Sequence, residues 1–188
     1  MLYGGASRIG AVAEMLVPFA SLIYIVLAIG VLVLRYEYIV HAFSMIVQGA
    51  FSPKAVTGGV VGSAFVGLRI GASRGIFTNE AGMGTAAIAH SCAEVEHPVH
   101  QGFLGIIEVF LDTIIICTLT ALVILCSGIR IPYGVDMGIR LTGAAFAKIY
   151  GDWVHYPLTV ILCLFAFATV LGCGLYGGRC AQYIFGEN

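Results

Sequence analysis

Asn79 and Glu80 stand in the stretch Phe77-Thr78-Asn79-Glu80-Ala81-Gly82-Met83-Gly84, between two runs of apolar and small residues. An acid at mid-bilayer costs at least ~2.5 kcal/mol on insertion scales, so one placed there marks a pathway or a binding site. Gly82 and Gly84 permit backbone dihedrals closed to other residues and let a ligand approach the chain. An unwound helix frees carbonyls which, with the oxygens of Thr78 and Asn79, suit a monovalent cation such as Na⁺. The N–H groups that open the following half-helix point at an anion. An amino acid would present its carboxylate to them. The alternative is an interfacial loop with Glu80 in water.

Three other sets of residues invite chemistry. Glu108 and Asp112 lie four apart, hence on one helix face, with Thr113, Cys117 and Thr120 on an adjoining stripe. That face reads either as a proton or cation relay or as polar glue between helices. Thr169, in a run poor in hydroxyls, could give an oxygen to Na⁺ or bond the carbonyl four residues back. His90, Glu94 and His97 fall at i, i+4 and i+7 and imitate a metal site, but they border Pro98 and fit better a wet helix end. No metal ligand set is assigned.

These residues need a membrane to position them. Of the 188 residues, 60% are hydrophobic and 10% charged, too few charges for the polar shell of a soluble domain. Nine Lys and Arg balance ten Asp and Glu, which leaves no basic field for nucleic acid. The six cysteines form no C-x-x-C pair and read as small packing residues. Spans are expected at about 15–35, 59–96, 103–127 and 154–177, the first and the last two near the ~20 residues that cross a bilayer. Pro18 is placed at the start of the first, and Gly177, Gly178 and Arg179 at the stop of the last.

The second expected span differs from the rest. Gly59, Ser63, Gly67, Gly71 and Gly75 form a stripe of small residues suited to close helix packing. The stripe ends at the Asn79–Glu80 segment. The expectation is a broken helix: one half to about 76, an unwound centre near 78–84, and another half to about 96. A short interfacial helix is expected over 36–53, and a helix over 141–150 within the longer loop 129–153.

The run Arg74-Gly75-Ile76-Phe77-Thr78-Asn79-Glu80-Ala81-Gly82-Met83-Gly84, then His97-Pro98-Val99, Gln101-Gly102, Glu108-Val109-Phe110 and Asp112-Thr113, resembles the signature of the alanine or glycine:cation symporters. Val17-Pro18-Phe19 and Phe165-Ala166-Phe167 fit as well, so the resemblance covers nearly the whole chain. It implies an all-α membrane protein with part of the five-plus-five inverted-repeat transporter fold, the spans being its fifth to eighth helices. It also implies Na⁺-coupled symport of a small neutral amino acid by alternating access, in the cell membrane, with Na⁺ as coupling ion, no other cofactor and no enzymatic activity.

In that likeness Thr78, Asn79, Glu80, Gly82, Met83 and Gly84 belong to the substrate site, with Met83 and Gly84 facing the amino acid. Thr78, Asn79 and Thr169 would serve the ion, and Thr169 and Cys173 would reach the same cavity from the last span. Ala168 stands where the family usually has Ser, Cys173 where it commonly has Trp, and Gly178 where it has an acid. The Trp-to-Cys change enlarges the pocket. The family's first, also broken, helix is absent, so the chain is expected to be a fragment that needs the remainder of the transporter and is inactive alone. Counting of basic residues puts Arg35, Lys54, Arg130, Arg140 and Lys148 inside, whereas the family topology puts the termini there. A channel or structural membrane subunit is the alternative function, and a metal-dependent membrane enzyme a more distant one.

Overall fold

The computed structural model describes residues 5–51, 61–131 and 137–186, and every regular element in them is helical. Gly59, the first member of the small-residue stripe, and Pro53 lie outside the described residues. The elements are α1 (Gly5–Leu34), α2 (Tyr36–Phe51), α3 (Val61–Thr78), α4 (Thr85–His90), α5 (Pro98–Val109), a π-helical segment (Phe110–Ile116), α6 (Cys117–Ser127), α7 (Ile139–Tyr150) and α8 (His155–Phe185), the last preceded by a 3₁₀ turn at Asp152–Val154.

Three stretches are long and apolar enough to cross a membrane: Val12–Leu34, Pro98–Ser127 and Asp152–Phe185. They make this a multi-pass integral membrane protein. Only helices satisfy all their backbone groups internally when lipid offers no hydrogen bonds. Pro18 lies inside α1, not at its start; membrane helices tolerate an internal proline when neighbouring helices and local adjustments re-satisfy the freed carbonyl. Likewise α8 runs through Gly177 and Gly178 to Phe185, past the expected stop near 177.

The core sits where α1, α6, α7 and α8 meet. Ala20, Tyr24, Ala28 and Val31 give α1 one buried stripe, which packs on Val123, Phe146, Val154, Leu158 and Ile161. Tyr24 and Phe146 meet edge to face with ring centroids 5.8 Å apart. The Tyr24 hydroxyl lies 2.5 Å from Thr120 Oγ1, and Thr120 donates to the carbonyl of Ile116 at 2.8 Å. At the end of α6, Gly128 turns with φ of 63° and Lys148 Nζ donates to its carbonyl at 2.6 Å, capping the helix from α7.

The second expected span is the interrupted one. Its first half, α3, has 18 residues and carries Arg69 and Arg74, both exposed. Its second half, α4, has only six residues and ends at His90, not near 96. Ser91 Oγ donates to the Ile88 carbonyl at 2.8 Å and Cys92 Sγ to the same carbonyl at 3.6 Å. These side chains compete with the helical ladder just where it stops. His90, Glu94 and His97 therefore do not share a helix face. Among the described residues no three His, Cys, Asp or Glu side chains gather as a metal site.

Candidate functional site

The chain leaves the helix at Thr78 and re-enters one at Thr85. Between them Glu80 has φ of 49°, the only non-glycine residue with positive φ among those described, and Gly82 and Gly84 follow at 76° and 79°. The turn is held by backbone bonds from Ala81 N to Ile76 O at 3.0 Å and from Met83 N to Glu80 O at 3.1 Å. No partner for the N–H groups of Gly82 and Gly84 occurs among the described residues. The hydroxyl oxygen of Thr85, just past the turn, is buried without a hydrogen-bond partner. A buried polar atom left unpaired costs about 1–3 kcal/mol.

Asn79 ties the break to the neighbouring span. Its Nδ2 donates to the Gly75 carbonyl at 3.0 Å, and its Oδ1 accepts from Thr113 Oγ1 at 3.0 Å. Thr113 belongs to the π-helical segment, where the Cys117 N–H reaches back to the Asp112 carbonyl. That extra residue per turn shifts the face of the helix, and π-bulges recur at functional sites for this reason. Gly105 and Glu108 upstream of it, and Asp112 within it, look toward the break. Downstream, Thr120 and Val123 turn into the core beside Tyr24.

A cavity of about 260 Å³ lies between these parts. Thr78, Asn79 and Glu80 line it from the break, His90 from α4, Glu108 and Asp112 from the neighbouring span, and Tyr176 from α8. The Tyr176 phenol faces the carboxylates of Glu80 and Glu108. His90 Nδ1 pairs with Gln101 Nε2 at 2.7 Å. Three carboxylates, those of Glu80, Glu108 and Asp112, thus line one small cavity.

The sequence-expected residues divide. Thr78, Asn79 and Glu80 line the cavity; Gly82, Met83 and Gly84 form the turn beside it without lining it. Thr169 is exposed and donates to the Phe165 carbonyl of its own helix at 3.0 Å. Cys173 is a free, exposed cysteine. Thr169, Cys173 and Tyr176 share one stripe of α8, at i, i+4 and i+7, and only Tyr176 of the three lines the cavity. Sequence reasoning passed over Tyr176 and Thr85; the same stripe spacing from Thr169 is the signal that points to Tyr176.

Comparison with known proteins shows the family. The family model described as the sodium:alanine symporter family matches residues 1–188. The amino-acid carrier protein AlsT of Bacillus subtilis is 39% identical over 98% of this chain and 38% of its own length. The sodium/alanine symporter AgcS of Methanococcus maripaludis is 36% identical over all of this chain and 41% of its own length. The probable sodium/glutamine symporter GlnT of Bacillus subtilis is 37% identical over 94% of this chain. The chain thus spans about 40% of the length of the curated relatives it matches. With the match running from the first residue to the last, across the broken helix and all three spans, the chain belongs to the sodium:alanine symporter family.

Proposed function

We propose that these residues form one side of the substrate and ion site of a Na⁺-coupled symporter for a small neutral amino acid. The helix break at residues 79–84, pinned by Asn79 to Thr113 and opening on an acid-lined cavity, is the observation that carries this reading. The cation is held by the side-chain oxygens of Thr78 and Asn79 with carbonyls of the turn. Thr169 supplies a further oxygen once its rotamer leaves the Phe165 carbonyl. The substrate carboxylate is taken by the N–H groups of Gly82 and Gly84, and its ammonium faces Glu80, Glu108 and Asp112. Met83 and Cys173 bound the substrate side chain. Names of relatives that carry alanine or glutamine support a small neutral substrate, and a cysteine on the α8 stripe leaves room for one larger than alanine.

Broken helices favour alternating access, in which one bundle rocks around the fixed site. The remaining length of the relatives is expected to supply the other side of the site, and the 188-residue chain alone is expected not to transport. The test is uptake of labelled alanine, glycine and glutamine into proteoliposomes that hold the protein carrying these residues, with Na⁺, K⁺ or a proton gradient outside. Uptake driven by Na⁺ and lost in Asn79→Leu supports the reading. Ion current without an amino acid would point to a channel, and Na⁺-driven uptake that survives Asn79→Leu would remove the break from the site.

A further inference from the structure

Away from the broken helix, a second cavity of about 590 Å³ opens between α7 and α8. Arg140, Lys148 and His155 stand at it with one carboxylate, Asp152, so two fixed cations face one anion. Beside it lies an apolar chamber of about 240 Å³ that includes Tyr24, Ile116 and Phe165. The two share Ile139, Gly143, Leu158 and Leu162 in their walls, so the basic mouth adjoins the apolar interior. Together the two follow α8 from His155 to Phe165, ten residues or about 15 Å at the helical rise.

The depth of the mouth is marked by aromatics. Trp153 is 56% and Tyr156 79% exposed at the start of α8, and such residues sit at the headgroup level of a bilayer. Basic pockets between membrane helices at that level suit phosphate headgroups. A free anion would not need the apolar chamber, and a hydrocarbon would not need the arginine. From the union of the two we infer that α7 and α8 form a binding site for one anionic phospholipid. Its phosphate lies against Arg140 and Lys148, and an acyl chain enters toward Leu162 and Phe165. The site is independent of the substrate reading, because no residue of the acid-lined cavity takes part in it.

Trp153 is the single tryptophan of the chain and directly follows Asp152, which lines the cavity, so its fluorescence is the readout of occupancy. The chain is purified in detergent, stripped of lipid, and titrated with short-chain phosphatidylglycerol, phosphatidylcholine of the same chains, and inorganic phosphate. Phosphatidylglycerol is expected to shift the emission saturably and to bind at least fivefold more tightly than phosphatidylcholine. Arg140→Gln is expected to weaken that binding about fivefold, the effect of one basic side chain near an anionic headgroup, and Arg140→Lys to retain most of it. Equal binding of the two lipids, or full affinity in Arg140→Gln, would overturn the site. Phosphate binding as tightly as the lipid would show an anion site without an acyl component and would overturn the phospholipid as occupant.

Discussion

Thr113 donates its hydroxyl to Asn79 Oδ1 at 3.0 Å, a contact between residues 34 apart in sequence. The same Asn79 side chain also donates to the Gly75 carbonyl, alongside the backbone N–H of Asn79, at 3.0 and 3.1 Å. One amide thus fixes both the end of α3 and its position against the next span. Thr113→Val removes the donor and keeps the shape. A hydrogen bond of this kind is worth about 1 kcal/mol net, so substrate or ion affinity should fall about fivefold. Asn79→Leu removes both bonds and should abolish Na⁺-driven uptake. Concentration dependence of uptake in proteoliposomes separates the two; equal loss in both variants would mean that Thr113 does more than hold Asn79.

Glu80 sits at φ of 49° without being glycine. A left-handed residue with a side chain costs roughly 1–2 kcal/mol, strain that functional sites tend to keep. Glu80→Gly should therefore raise thermal stability while lowering uptake, since it also removes a carboxylate from the cavity. Gly82→Ala and Gly84→Ala should do the reverse to stability, each by a similar amount. No atom lies within 4 Å of a Cβ built at either position, so their cost is conformational, not steric. Melting curves of the four proteins in one detergent decide the matter. A destabilised Glu80→Gly would show that the carboxylate, not the backbone, sets the balance.

Much of this arrangement is legible in the sequence, and the reasons for the rest are physical. Composition and apolar runs announce the bilayer, and the glycines with Asn79 and Glu80 announce where a helix opens. The π-helical segment does not announce itself, because Phe-Leu-Asp-Thr-Ile-Ile-Ile contains no glycine or proline and its extra residue is absorbed by packing. The end of α4 at His90 depends on Ser91 and Cys92 turning back to one carbonyl, a local competition that periodicity does not register. The continuation of α8 through Gly177 and Gly178 reflects a solvent in which leaving the helix costs more than a glycine does. The link from Thr113 to Asn79 is tertiary and has no local trace.

In the core, the Tyr150 hydroxyl donates to the Leu27 carbonyl at 2.9 Å and lies against Gly30 of α1. A Cβ at Gly30 would collide with that hydroxyl, while the ring carbon behind it is at a tolerable 3.4 Å. Gly30→Ala should destabilise the fold by about 1–3 kcal/mol, the range for overpacking. Tyr150→Phe should cost about 1 kcal/mol for the lost bond. The double variant should be more stable than the sum of the two, because the clash and the hydroxyl vanish together. Burial raises the Tyr150 phenol above its ordinary 10.0, so the unfolded chain ionises it first. Its stabilising contribution is whole below pH 10 and fades as the pH rises further. Melting at pH 8 and at pH 10.5 should therefore narrow the gap between the wild type and Tyr150→Phe.

The π-helical segment sets the phase between two functional faces of one span. Upstream, Glu108 and, in its first turn, Asp112 look into the acid-lined cavity; downstream, Thr120 meets Tyr24 in the core. One residue rotates a helix by about 100°, so deleting Ile114 should restore a plain α-helix and break this phase. The core contacts of α6 should win, because they are buried and numerous, and the upstream face should turn away from Asn79. Helix content by circular dichroism is expected to stay constant while Na⁺-driven uptake is lost. Deleting Ile106 instead, upstream of the π segment, leaves Thr113 in phase with Thr120 and displaces only the start of α5, so Asn79 keeps its partner and uptake should be reduced rather than lost. If both deletions are equally tolerated, the π segment is a packing accommodation with no bearing on the site.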